Sequence, residues 1–201
     1  MLVDLNIKDF ADRVASHNPV VPAGGSVMAL SGLMSVCLVE MSINSACGRS
    51  EKEMNEAYFE KTKMELTKLR SELLAYIDKD AEAYGGVLAA YKLPKSTLEE
   101  AEQRQNEIQA AALTSIEIPL EISEACILAL ESGIMLLPQI KHGVLGDLKI
   151  GLLVMKAVIE GSLVTAKINL QLLKKDTLKM VLQVRLDKLQ ARFDTVMTGL
   201  R

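Results

Sequence analysis

The chain has 201 residues, enough for one large domain. Apolar residues make up 49% of it, aromatics only 3%, and Trp is absent, so a core must be built from Leu, Ile, Val, Met and Ala. The formal net charge of −3 excludes the basic footprint of a nucleic-acid binder, and the scarcity of alternating polar and apolar runs excludes a β-rich fold.

A first helix is predicted from about Asn6 to Ser16, with Asn6 as its cap and Phe10 and Val14 on its apolar stripe. The connection Pro19-Val20-Val21-Pro22-Ala23-Gly24-Gly25-Ser26 follows, and no Asp, Glu, Lys or Arg occurs from Val14 to Val39. This connection has two readings. One is a tight turn feeding a core helix. The other takes Ser26 as a helix cap and the free N–H groups of the first turn as a cradle for an anionic or electron-rich ligand group. The second helix is predicted from Ser26 to about Cys47, with Gly48 as its stop. Its 22 residues would span roughly 33 Å, the thickness of a bilayer core. Glu40, the polar Ser31, Ser35, Ser42, Asn44 and Ser45, and the lack of flanking Trp/Tyr belts or basic clusters predict a central buried helix instead of a membrane span.

Ser50 and Glu53 form a capping-box pattern for the third helix, on which Leu66, Leu69, Leu73 and Ile77 recur at helical spacing. A bend is expected at Gly85-Gly86, and Pro94 ends the run. Ser96 and Glu99 repeat the capping-box pattern for a long fourth helix, with a kink expected at Pro119 and an end at Gly133. A short segment, Ile134 to Leu145, precedes a helix opening near Asp147 and reaching about Leu173. A last amphipathic helix covers Thr177 to about Met197. The expectation is an all-α, elongated up-and-down bundle of five to seven helices, forming a single domain over residues 1–201.

Three cysteines, Cys37, Cys47 and Cys126, are far apart in apolar contexts and read as small core residues in a reducing cytoplasm. The N-terminus lacks the order of a signal peptide, so a cytoplasmic location is expected. His17 and His142 have no second ligand at helical spacing, and no metal site is predicted. Walker, GxGxxG and nucleophile-elbow motifs are absent. What remains is Asp80, Lys95, Arg104, Asp147 and Asn169 in apolar or breaker-rich surroundings. Taken singly, each reads first as a cap or a surface group, and a helix N-cap accounts for Asp147 completely.

Taken in order, the residues resemble the cyclodeaminase/cyclohydrolase family, the helical folate-handling domain of formiminotransferase-cyclodeaminase and of stand-alone bacterial proteins. The resemblance runs over about residues 1–175. It is carried by Phe10, Ala15-Ser16, Pro22-Ala23-Gly24-Gly25-Ser26, Glu40-Met41, Asp80-Ala81-Glu82-Ala83-Tyr84 and Leu93-Pro94-Lys95. It continues with Arg104, Ile108-Gln109, Ile118-Pro119-Leu120, Asp147, Gly161 and Ile168-Asn169-Leu170. It implies a tetrahydrofolate derivative as substrate and no metal or redox cofactor. The implied reaction is closure of 5-formimidoyltetrahydrofolate to the 5,10-methenyl form with release of ammonia. The alternatives are hydrolysis of the methenyl bridge, or a weakened folate-binding or assembly module on the same scaffold.

On this resemblance Asp80 or Asp147 would be the acid/base or hold the pterin's paired donors. Gly24, Gly25 and Ser26 would bind the folate, Lys95 and Arg104 would meet its glutamate tail, and Asn169 would join the substrate-binding set. A homodimer is expected, with neither nucleic acid nor membrane as partner. Ala23 stands where the family usually has glycine, and Val20-Val21 lengthens the turn. Thr165 stands where asparagine is common. Lys141 to Gly146 lacks the family's glycine-asparagine pair and serine before Asp147.

Overall fold

A computed structural model describes residues 1–16, 18, 20–46, 53–140, 142–174 and 176–199. Among them the chain is all-α, with helices α1 (Ile7–Ala15), α2 (Gly24–Ala46), α3 (Glu53–Lys92), α4 (Leu98–Leu136), α5 (His142–Asn169) and α6 (Asp176–Gly199). Single 3-10 turns occupy Leu2–Asp4 and Leu170–Leu172. The Val21-Pro22 peptide bond, ahead of α2, is cis.

Helices α2, α3, α4 and α5 form the core, with α2 packed against the other three. That position explains its composition. Gly24–Ser45 is long and apolar enough to cross a membrane, and here just over half of it, 56%, is buried against the other three helices. Small residues let the partners close in. A Cβ on Gly151 would lie 3.1 Å from the Ser35 carbonyl oxygen, and one on Gly161 only 2.7 Å from Met28 Sδ. The same contacts fix direction. The start of α5 lies beside the middle of α2 and its later half beside the start of α2, so the two run antiparallel. Leu73, Ile116 and Leu130 are fully buried where these helices meet, and each truncation to Ala there should cost about 2–5 kcal/mol.

The α6 helix lies outside this core. Leu182, Leu186, Leu189 and Phe193 are its buried stripe. Arg185 pairs with Glu124 at 2.9 Å and Arg192 with Glu131 at 2.6 Å. Two pairs seven residues apart on both helices fix register, while burial supplies most of the stability.

The Asn6 cap forms as expected, its side chain accepting the Asp9 N–H at 2.9 Å. Several boundaries differ from the sequence expectation. Helix α2 starts at Gly24, so Ser26 lies inside its first turn and does not cap it. Helix α3 runs unbroken through Gly85-Gly86, and α4 passes both Pro119 and Gly133. The α4 capping box is Thr97 with Glu100, one residue after the expected pair. Helix α5 begins at His142, so Asp147 sits inside it and is not its N-cap. Isolated glycines cost a helix about 1 kcal/mol each, and packing on α2 and α4 overrides that along α5. The predicted Ser50 cap, the Gly48 stop, Cys47, His17 and Lys141 lie outside the described residues.

Candidate functional site

The first turn of α2 is the most unusual polar place in the core. The Val27 N–H returns to the Ala23 carbonyl at 3.2 Å, the first bond of the helix. The N–H groups of Gly24, Gly25 and Ser26 therefore have no intrahelical acceptor. An acceptor comes from another helix. Asp80 of α3 lays its carboxyl over Gly25, so close that a Cβ there would stand 1.9 Å from Asp80 Oδ1. Asp80 accepts hydrogen bonds from the Ser26 N–H and from the Ser26 hydroxyl, the latter at 3.1 Å. Glycine is thus required at position 25 by the close approach of a carboxyl group.

Asp80 is only 9% exposed. Burial pushes its carboxyl above the ordinary carboxylate range, and the Ser26 hydrogen bonds pull it partly back. The Ser26 hydroxyl has one hydrogen and two acceptors, Asp80 Oδ2 at 3.1 Å and the Ile77 carbonyl at 2.9 Å. With Asp80 ionised, the hydroxyl donates to the carboxylate. With Asp80 protonated, the carboxyl can donate to Ser26 Oγ while the hydroxyl turns to Ile77. The pair can therefore hold a proton or accept one without moving the backbone, the property needed of a general acid/base.

The structure brings together three of the sequence candidates, Gly25, Ser26 and Asp80, with Gly24 exposed beside them. The others lie elsewhere. Asp147 is near the start of α5, and Gly151, one turn later, packs on Leu38. Asp147 is thus level with about residue 41 of α2, on the order of 22 Å along the helix from Ser26. Lys95 is exposed in the α3–α4 connection. Arg104 donates to the Tyr91 carbonyl at 3.1 Å and lies 5.5 Å from the Tyr91 ring centre. It therefore caps the C-terminal end of α3, where unpaired carbonyls favour a cation.

Asn169 has a structural partner. Pro119 has no N–H, so the Ser115 carbonyl one turn back loses its helical donor. Asn169 supplies one, its side-chain amide reaching the Ser115 oxygen at 2.7 Å. Sequence reasoning named Gln109 only as part of the resemblance and gave it no role. Its amide donates to the Leu172 carbonyl at 3.0 Å and accepts the Lys174 N–H at 2.7 Å, fastening the α5–α6 connection to α4. A Gln on a helix face carries no sequence signal of such a role.

Two adjoining clefts of about 320 and 550 Å³ run between α3 and α4 and share Gly86, Ala111 and Thr114. They open on the α4 side of α3, whereas Asp80 turns to α2.

Residues 6–188 match the protein family described as formiminotransferase-cyclodeaminase. The methenyltetrahydrofolate cyclohydrolase of Methylorubrum extorquens is 37% identical over 120 residues, covering 60% of this chain and 57% of that protein. The formimidoyltransferase-cyclodeaminase of Gallus gallus is 29% identical over 167 residues, 79% of this chain and 29% of that protein. The matches thus span less than two thirds of either relative. The solved structure of a formiminotetrahydrofolate cyclodeaminase from Thermotoga maritima has the same fold. Its TM-score is 0.86 over 98% of this chain and 93% of that one, at 23% identity.

Proposed function

Because the chain belongs to the formiminotransferase-cyclodeaminase family, we propose that it acts on one-carbon derivatives of tetrahydrofolate, forming or opening the 5,10-methenyl bridge. The observation that carries this reading is Asp80, a buried carboxyl held at a helix start by Ser26 and pressed against a glycine. Both reactions on such a substrate are proton-transfer problems at one carbon between two nitrogens. In cyclodeamination, N10 attacks the amidine carbon, a base takes the N10 proton, and an acid protonates the departing amine, which leaves as ammonia. In hydrolysis, water adds to the methenyl carbon, its proton is removed, and the N5–carbon bond breaks to give the 10-formyl form. A carboxyl whose pKa is raised by burial can act as acid and as base in turn. We assign that role to Asp80.

Gly24, exposed at the same helix start with open space above it, offers its N–H to the ligand in this reading. Of the two sequence candidates for an anionic tail, Arg104 is used at the end of α3, and exposed Lys95 takes that role in this reading. The sequence resemblance put cyclodeamination first. The 37% relative supports hydrolysis of the methenyl bridge equally.

A second reading, a binding module with weakened chemistry, draws on Asp147. The stretch before it is helical from His142 onward and lacks the polar residues of the family pattern.

Purified protein should accelerate the loss of near-ultraviolet absorbance of 5,10-methenyltetrahydrofolate, or release ammonia from 5-formimidoyltetrahydrofolate, well above the uncatalysed rates. A folate-dependent rise in Tm without either turnover would replace the enzyme by the binding module. Neither turnover nor a Tm shift would remove the folate reading.

A further inference from the structure

The chain ahead of α2 is fastened at both ends to one turn of α3. At its start Leu2 is buried, and the Leu2 N–H donates to Asp78 Oδ1. At its end the first turn of α2 meets Asp80 through Ser26. Asp78 and Asp80 are two residues apart, about 3 Å along the helix axis. The stretch between these anchors carries α1, which is thereby tethered near the exposed Gly24 at the mouth of the site.

Helix α1 is sharply two-sided. Ile7, Phe10 and Val14 recur at three- and four-residue spacing on one face, and Lys8, Asp9, Asp12 and Arg13 occupy the other. A helix of nine residues is marginal alone and is ordinarily stabilised by packing such an apolar face. Here the packing is incomplete. Phe10 is half-buried against the core, whereas Ile7, one turn before it, is 89% exposed and Val14, one turn after it, 38%. Every other residue of α1 is exposed as well. The helix thus rests on the bundle at Phe10 and leaves apolar surface open on both sides of that contact. Val20, 49% exposed, extends this surface toward α2.

The surroundings select what can fill the space. No Asp, Glu, Lys or Arg occurs from Val14 to Val39, so the lining next to Asp80 is neutral. Nothing lies within 4 Å of the place a Cβ would take on Gly24, whose N–H is free to donate. An apolar helix face beside a backbone donor and a carboxyl suits a flat ring system with polar edges, and it offers nothing to a charged tail.

We propose that α1 is the roof of the ligand site. The face of Ile7, Phe10 and Val14 closes over the rings of the ligand held at Asp80, and the anionic tail stays outside. The identity of those rings, a reduced pterin and its aminobenzoyl group, rests on the folate reading above.

Ile7 carries the test, because a side chain 89% exposed does little to hold the ligand-free fold. Ile7→Ser should keep the wild-type Tm. It should raise KM for 5,10-methenyltetrahydrofolate or 5-formimidoyltetrahydrofolate several-fold, by more than it lowers kcat. A wild-type KM overturns the roof. The chain has no Trp, so Ile7→Trp supplies a sole reporter. Its emission should be that of an exposed indole in the free protein and move to shorter wavelength when 5-formyltetrahydrofolate is added. Met64→Trp, at a position 74% exposed and about 24 Å along α3 from Asp80, should not respond. Short-wavelength emission from Ile7→Trp before any ligand is added would show that something else covers the face, and would overturn the roof. So would an emission indifferent to a folate that the wild type binds. A wild-type chain that neither binds nor turns over these folates faults the functional reading itself, and the roof falls with it.

Discussion

Asp80, Ser26 and Gly25 illustrate how little a single residue means before its neighbours are known. Gly25→Ala should displace the Asp80 carboxyl, because the new Cβ would fall 1.9 Å from Oδ1. Turnover should fall as far as in a variant lacking the carboxyl, with the circular dichroism unchanged. Gly24→Ala, with nothing within 4 Å of its Cβ, should be close to neutral in stability and is the control.

Asp80 also leaves a mark on stability. Its folded pKa lies above the unfolded value of 3.8, so the native state holds that proton more tightly. The resulting stabilisation is complete below the unfolded value and is lost as pH rises through the folded one. Urea titrations across the acid range should show this downward slope in the wild type relative to Asp80→Asn. Equal slopes would place the folded pKa at its ordinary value. The sequence marked both the glycine turn and Asp80 as candidates. It did not show that they are one site, because 54 residues separate Ser26 from Asp80 and no local pattern records such a contact.

At the level of elements, Pro119 and Asn169 form a unit. Asn169→Ala should leave the Ser115 carbonyl unsatisfied and cost about 1–3 kcal/mol. In a Pro119→Ala background the residue at 119 regains an N–H for that carbonyl, so the cost of Asn169→Ala should shrink. A double-mutant cycle by urea denaturation checks it, and equal costs in both backgrounds would show that the two are unconnected. The sequence placed a proline inside α4 and an Asn late in α5 but gave no hint of the bond between them. Glycine was over-read for a related reason. Gly85-Gly86 and Gly133 were expected to bend or end helices, yet α3 and α4 include them. Each is a small local penalty, and α3–α4 and α2–α5 packing outweighs it. Where capping was local and strong, as at Asn6, the boundary was read correctly.

For the molecule as a whole, the all-α class was legible in composition and periodicity, since a core without Trp and nearly without Phe is helix packing by default. The partition of the candidates was not legible. The antiparallel arrangement of α2 and α5 sends Asp147 to the far end of the bundle from Asp80, a fact of topology that spacing along the chain does not carry. Among the described residues the fold then leaves one carboxyl in the core, at the start of its central helix, and the proposed chemistry stands on that group. Steady-state turnover of one-carbon tetrahydrofolates by Asp80→Asn, beside the wild type at saturating substrate, decides the matter. The expected result is a fall in kcat of about 10²- to 10⁴-fold, with KM and helix content little changed. A wild-type kcat in Asp80→Asn would contradict it and require the acid/base to be sought elsewhere.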